Sequence, residues 1–339
     1  MKVRPRRDMA MAKEEKMKRI ALFAVLAVML TATAGVAAEY GVYVKAVEKA
    51  AGSFDEVVSR TESALGEKGW QVISSYEVTV PDGCGFRAHT ISLHNEAYAR
   101  KLLARGTRAA FALPPRVVVY EDEGGTNVAF MNPSSVNRTV LGDGVAENLA
   151  ADTAAEISAI IAGAAGGAKV DRQIGQLRSK GKVSGPKMMG GGDFDDRVAI
   201  LFETAAAEGA LGEISRKVKA GIKGNKTGWE LVYYLDCIPQ GVTIFGVNRK
   251  SMEAKAYSIA GERRRSKESP CPGIDHAAAF PVEIVVMQEG ESVRVAILDG
   301  MYRMKVFFED AGKWAFAKNM TMPGTIEKEI REMTLAELK

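Results

Sequence analysis

The sequence predicts an α+β protein made of two tandem copies of one unit, β-α-β-β-α-β-β-α. Three segments of the first half recur in the second half in the same order, and both halves alternate strand-like with helix-like spacing of apolar residues. The paired segments are WQVISSY (70–76) with WELVYYL (229–235), HTISLHN (89–95) with VTIFGVN (242–248), and LPPRVVVY (113–120) with FPVEIVVM (280–287). A conserved order of this kind indicates a duplicated domain.

The first copy, residues 39–165, is predicted to begin with an alternating strand over 40–48. Ser53 and Glu56 then form a capping box, in which each side chain accepts a backbone N–H of the other residue. A helix therefore follows Ser53 and ends at Gly69. The remaining elements are two strands, a helix, a hairpin and a last helix, over 70–80, 86–93, 96–108, 116–120 with 127–131, and 145–162.

The second copy, residues 197–339, repeats this order and departs from it by an insertion around 262–273. Its elements are predicted over 198–202, 211–222, 229–237, 242–247, 251–261, 282–287 with 293–298, and 325–338. Between the copies, residues 166–196 are rich in Gly, Lys and Ser. This composition predicts a flexible linker, with a short helix near 171–177.

The first copy also resembles a known family. LPPRVVVYE (113–121), a Gly-rich turn and TNVA (126–129) are similar to the core of the domain of unknown function numbered 302. The resemblance covers residues 40–165 well and 197–339 more loosely. It implies a helix-backed, curved antiparallel sheet similar to the fold group named after the TATA-box-binding protein. Because no activity is established for that family, the resemblance implies no functional residue.

The N-terminus predicts export. Basic residues precede an apolar run over 20–36, which ends in the small residues Val36, Ala37 and Ala38. This is the pattern of a signal peptide cleaved near Ala38, which places the mature protein in the periplasm or outside the cell. An uncleaved membrane anchor is the alternative. Met17 is an alternative start that lies directly before the apolar run.

The charge of the chain belongs mostly to this leader. Residues 1–38 contain eight Lys or Arg and three Asp or Glu, so the formal net charge of +4 leaves the remaining chain near −1. A chain with this balance is not expected to bind nucleic acid. A membrane is an expected partner only if the leader stays uncleaved.

Familiar catalytic motifs are missing from the sequence. It contains no phosphate-binding GxxxxGK[ST] loop, HExxH, CxxC or GxSxG. This favours a binding or interaction protein over an enzyme, and it names no cofactor.

The three cysteines allow two interpretations, a structural disulfide or a reactive site. Aligning the copies places Cys84 opposite Cys237, whereas Cys271 lies in the insertion, so we predict a Cys237–Cys271 disulfide in an oxidising compartment. The alternative is a thiol- or metal-dependent redox component, with Cys84 near Arg87 as its reactive thiol. Residues five apart in a strand face opposite sides, so Cys84 and His89 predict no metal site.

The insertion also carries Arg263, Arg264 and Arg265, which are candidates for contact with an anion. The two copies are expected to pack on each other. Because ligand pockets favour domain interfaces, the groove between the copies is the expected site for an unknown small ligand or protein partner.

Overall fold

Two antiparallel sheets, each with helices against one face, form the architecture of this protein. The structure is a computed structural model, and it describes residues 38–259, 270–308, 310–311 and 313–338. The predicted signal peptide and the Arg263–Arg265 cluster lie outside the described residues. The predicted α+β class is confirmed. Among the described residues, no helix is long and apolar enough to cross a membrane.

The first copy, together with the segment that follows it, contributes six strands and four helices. The strands are β1 (Tyr43–Glu48), β2 (Gln71–Glu77), β3 (Ala88–His94), β4 (Arg116–Asp122), β5 (Gly125–Met131) and β6 (Ala168–Ile174). The helices are α1 (Phe54–Glu67), α2 (Glu96–Leu103), α3 (Pro133–Leu141) and α4 (Glu147–Ala165). A short 3₁₀ segment, Thr107–Ala112, precedes β4.

The second copy contributes five strands and five helices among the described residues. The strands are β7 (Val198–Ala205), β8 (Glu230–Cys237), β9 (Val242–Asn248), β10 (Val282–Glu289) and β11 (Ser292–Leu298). The helices are α5 (Ala210–Gly224), α6 (Lys250–Tyr257), α7 (Gly300–Phe308), α8 (Lys313–Lys318) and α9 (Thr321–Leu335). A 3₁₀ segment, Ile274–Ala279, precedes β10.

The two sheets share one strand order, which fits two tandem copies. The first sheet runs β2-β3-β4-β5-β1-β6, and the second runs β8-β9-β10-β11-β7. Even their irregularities correspond. A register shift between Val72 and Ser74 of β2 recurs between Leu231 and Tyr233 of β8. A second register shift lies in β1, opposite Val128 and Ala129 of β5. The same shift lies in β7, opposite the equivalent residues Val295 and Ala296 of β11.

Local sequence signals account for the start of the first helix. The predicted capping box is confirmed, with Ser53 accepting from the N–H of Glu56 and the Glu56 carboxylate accepting from the N–H of Ser53. The apolar positions of α1 lie against the sheet. They are Phe54, Val57, Val58 and Leu65, together with the buried hydroxyl residue Thr61.

Several predicted boundaries are wrong. Residues 166–196 are not merely a linker, because β6 adds to the free edge of β1 through a backbone ladder, where a helix was expected. The helix expected over 96–108 ends at Leu103 and continues as the 3₁₀ segment Thr107–Ala112. The helix expected over 145–162 is confirmed as α4, but α3, which precedes it, was not expected.

The predicted cysteine pairing is also corrected. The structure joins Cys84 to Cys271, with 5.6 Å between their Cα atoms, and leaves Cys237 buried as a free thiol. Strand register explains the error. Cys237 pairs with Val242 as Val78 pairs with Ala88, so Val78 is the counterpart of Cys237. Cys84 lies farther along a longer loop between β2 and β3, and its disulfide links the two copies.

We expect peptide mapping under non-reducing conditions to recover Cys84 and Cys271 in one cross-linked peptide pair. Cys237 should resist alkylation until the protein unfolds, because it is buried. The bridge spans 187 residues, so on the chain-entropy model reduction should lower the free energy of unfolding by about 5 kcal/mol. Cys237→Ser should keep the bridge, and a cross-link that contains Cys237 would contradict the assignment.

Candidate functional site

The two copies meet through the sheet faces that lie opposite their helices. Each copy places its 3₁₀ segment on the other sheet: Thr107–Ala112 contacts β9 and β10, and Ile274–Ala279 contacts β3, β4 and β5. Thr90 of β3, for example, donates its hydroxyl hydrogen to the carbonyl oxygen of Ala277 at 3.4 Å. The exchange is reciprocal, so both copies contribute to one shared core.

A buried ion pair lies in this core. Arg116 starts β4, Glu283 lies in β10, and the two are equivalent positions in the duplicated segments. The guanidinium of Arg116 hydrogen-bonds the Glu283 carboxylate and also donates to the carbonyl oxygen of Pro281 at 3.2 Å. Arg303 of α7 places its Nε 3.8 Å from the other carboxylate oxygen of Glu283. One buried carboxylate therefore serves two buried guanidinium groups.

Because one carboxylate serves two guanidinium groups, we expect two substitutions to lower the free energy of unfolding by unequal amounts. Glu283→Gln leaves two buried cations without a carboxylate and should lower the free energy of unfolding by about 3–5 kcal/mol. Arg116→Met should cost less, because Glu283 and Arg303 still form a pair. Urea denaturation of the two variants at one pH compares them. A larger decrease in unfolding free energy for Arg116→Met would show that the number of unpaired buried charges does not control stability here.

A second buried cluster surrounds His276 in the Ile274–Ala279 segment. Its Nδ1 lies 2.7 Å from Asp275 Oδ1, and its Nε2 lies 3.0 Å from Asp310 Oδ1. Its ring meets Tyr43 edge-on, with 4.9 Å between centroids. Burial alone lowers the pKa of His276, but the carboxylates of Asp310 and Asp275 outweigh burial and raise that pKa to about 10. His276 is therefore a buried cation at neutral pH.

The raised pKa of His276 predicts a specific pH dependence of stability. Because the folded pKa lies above the unfolded value of about 6.5, the contribution of His276 is complete below pH 6.5. It is lost as pH rises toward 10. The unfolding free energy of the wild type should therefore exceed that of His276→Gln by an amount that shrinks between pH 6.5 and 10.

Urea denaturation of both proteins across this pH range measures the difference. His89→Gln is the matched control, since burial lowers the pKa of His89 and its effect should appear on the acid side of pH 6.5 instead. A difference for His276→Gln that stays constant from pH 6.5 to 10 would contradict the assignment.

A cleft of about 420 Å³ opens where the edge strands β2 and β8 approach each other. Strand β2 supplies one wall, and β8 with the start of α6 supplies the other. Polar side chains from both copies line it. The lining residues used below are Ser74, Tyr76, Thr79, Glu230, Asn248, Lys250 and Glu253.

Glu253 is the central side chain of this cleft. It lies on the core-facing side of α6 and is only 1% exposed. Its carboxylate accepts hydrogen bonds from the backbone N–H of Thr79 at 2.8 Å and from the hydroxyl groups of Tyr76 at 3.2 Å and Tyr257 at 3.1 Å. Burial, the largest influence, raises the pKa of Glu253, and these hydrogen bonds oppose the rise.

Two polar atoms on the cleft walls are buried and lack a hydrogen-bond partner among the described residues. They are Ser74 Oγ, from the first copy, and Asn248 Oδ1, from the second. The amide nitrogen of Asn248 donates toward the Tyr76 hydroxyl at 3.5 Å, which leaves Oδ1 as the acceptor without a donor. Because buried polar groups are usually paired and these two line one cleft, they are candidate contacts for a polar ligand.

The predicted site residues are only partly brought together. Cys84 and Cys271 meet as a disulfide, so Cys84 is not a free reactive thiol. Its neighbour Arg87 is bound by Asp55 and Glu77, each at 2.8 Å. Burial raises the pKa of Cys237 to about 11, which disfavours its thiolate. Within the described ranges, no group of His, Cys, Asp and Glu side chains is arranged to hold a metal ion.

Sequence reasoning missed Glu253 and Asn248. A signal was nevertheless present. Glu253 lies among the core-facing positions of α6, beside Met252, Ala256 and Tyr257. The structure shifts the sequence alignment of this segment by one residue, so that the helix caps Asn95 and Arg249 correspond. The position of α2 equivalent to Glu253 then holds Ala99, which is buried. A carboxyl group at a helical core position marks either an ion pair or a binding site.

Comparisons with known proteins address the family. Residues 45–164 match the family described as "Domain of unknown function DUF302". A crystal structure of an uncharacterized conserved protein DUF302 from Bacillus stearothermophilus is similar at 18% sequence identity. That similarity covers 36% of this chain and 98% of that chain, with a TM-score of 0.31. None of the curated proteins matches this chain.

Proposed function

We propose a function from the geometry of the cleft, because residues 45–164 match the DUF302 family, whose description names no activity. The protein is a binding module, and its ligand site is the cleft between the two copies. The observation that carries the proposal is the pair of buried, unpartnered atoms, Ser74 Oγ and Asn248 Oδ1, one from each wall. A polar ligand that reaches both walls satisfies them.

The cleft has the features of a built site. Its volume of about 420 Å³ lies in the range of small-molecule pockets. The wall near Thr79 is held by the hydrogen bond from its N–H to Glu253 and, five residues later, by the Cys84–Cys271 bridge. These links cross from one copy to the other, so a single copy lacks half of the site. A prearranged cleft binds with less loss of conformational entropy than a flexible one.

The setting we propose for this binding is outside the cytoplasm. The basic and apolar leader of residues 1–38 supports export. The disulfide between the copies supports it as well, since disulfides persist in oxidising compartments. Neither observation identifies the ligand, so the test below uses a broad set of small polar molecules.

We expect Ser74→Phe to abolish binding, because the ring fills the cleft beside β8. Saturation-transfer NMR with a library of small cationic, neutral and anionic fragments measures binding to the full chain. Ser59→Phe, on the exposed side of α1, is the matched control and should bind the same fragments as the wild type. Circular dichroism checks that both variants fold.

The proposal fails if the folded Ser74→Phe variant keeps every fragment that the wild type binds. It fails as well if the wild type binds none of them.

A further inference from the structure

The buried acids of this protein divide into two kinds. Asp275 and Glu283 each contact a buried cation, His276 and Arg116 respectively. Glu253 is at least as deeply buried, yet no Lys, Arg or His side chain of the described residues forms an ion pair with it. Its neighbours are instead uncharged donors: a backbone N–H, two tyrosine hydroxyls and an amide.

A buried carboxylate without a cation is costly, because hydrogen bonds from neutral groups replace only part of its lost hydration. Glu253 differs from Asp275 and Glu283 in one further respect, since it lines a cleft. A ligand entering this cleft can therefore supply the missing positive charge. For Asp275 and Glu283, the protein itself supplies the positive charge.

The remaining cleft groups favour the same chemistry. Asn248 is 7% exposed, and its unpartnered Oδ1 is an acceptor that needs a hydrogen-bond donor. Glu230 adds a second carboxylate at the wall formed by β8, while Glu77 is already paired with Arg87. Among the described residues that line the cleft, Lys250 is the only cationic one, and it is exposed. Three carboxylates of the described lining residues thus stand against one ammonium group.

We propose that the cleft binds its ligand through a primary ammonium group, held between the carboxylate of Glu253 and Oδ1 of Asn248. This rests on the proposed binding function and adds the chemical class of the ligand. An ammonium group has three donors and no acceptor, which matches acceptors on both sides of it. Glu230 attracts the cation at the entrance, and its exposure keeps its share of the binding energy small.

Three probes of equal chain length test the charge requirement on the full-length protein: 1,4-diaminobutane, 1,4-butanediol and succinate. Isothermal titration calorimetry should detect binding of the diamine alone. Glu253→Gln keeps the size and acceptor oxygen of the side chain but removes its charge, and it should weaken diamine binding by about tenfold or more. Glu230→Gln should weaken it by about twofold to threefold. Glu208→Gln, an exposed site outside the cleft lining, is the control and should not change it.

A second measurement avoids any dependence on the folding of a variant. In the wild-type protein, the diamine should shift the side-chain amide resonances of Asn248 in a two-dimensional NMR spectrum, and the diol should not. If the diol or succinate binds as tightly as the diamine and Ser74→Phe abolishes that binding, the cleft is a binding site but the ammonium class is wrong. If none of the three probes binds, the ammonium class is wrong, and the fragment library decides separately whether the cleft binds anything.

Discussion

The structure depends on the contact between Arg116 and Glu283 at the centre of the joined copies. These residues occupy equivalent positions in the duplicated segments, so a symmetric pairing of two first copies would place Arg116 against Arg116. Two buried guanidinium groups without a carboxylate repel each other, and desolvation adds to the cost. The unlike charges therefore favour pairing of a first copy with a second copy. A two-fold dimer requires identical surfaces, whereas a single chain with two copies allows each surface to diverge.

That freedom to diverge also explains why the cleft near α6 is not symmetric. The position of Ala99 in α2 is occupied by Glu253 in α6. Likewise, Ser74 occupies the position of Tyr233, whose ring lies directly against Gly246 in the neighbouring strand. A small residue at 74 leaves space beside β2, and an acidic residue at 253 makes that space polar. The scaffold is shared by the two copies, but the candidate site uses positions at which they differ.

Features that depend on local sequence could be predicted well, and features that depend on distant contacts could not. The capping box at Ser53 and the repeated order of elements follow from patterns within one segment. The pairing of Cys84 with Cys271 does not, because it depends on how the two copies meet and on a loop that is longer in the first copy. Strand β6 is polar and charged, with Lys169, Asp171 and Arg172, a composition typical of a linker, and it becomes a strand because it pairs with the open edge of β1. Glu253 was missed for a related reason, since two of the groups that hydrogen-bond its carboxylate, Tyr76 and Thr79, belong to the other copy.

The distribution of charge in the shared core links stability with binding. Elsewhere in this core the protein supplies both charges of a pair, Arg116 with Glu283 across the copies and His276 with Asp275 within the second copy. The carboxylate of Glu253 lies in the same interface, where it accepts hydrogen bonds from the Thr79 N–H and the Tyr76 hydroxyl. No cationic side chain of the described residues forms an ion pair with it. A cation that binds there would complete an ion pair with Glu253 at the interface and stabilise the joined form. Ligand binding and the association of the two copies should then be coupled through one carboxylate, because any binding to the joined form shifts folding toward it.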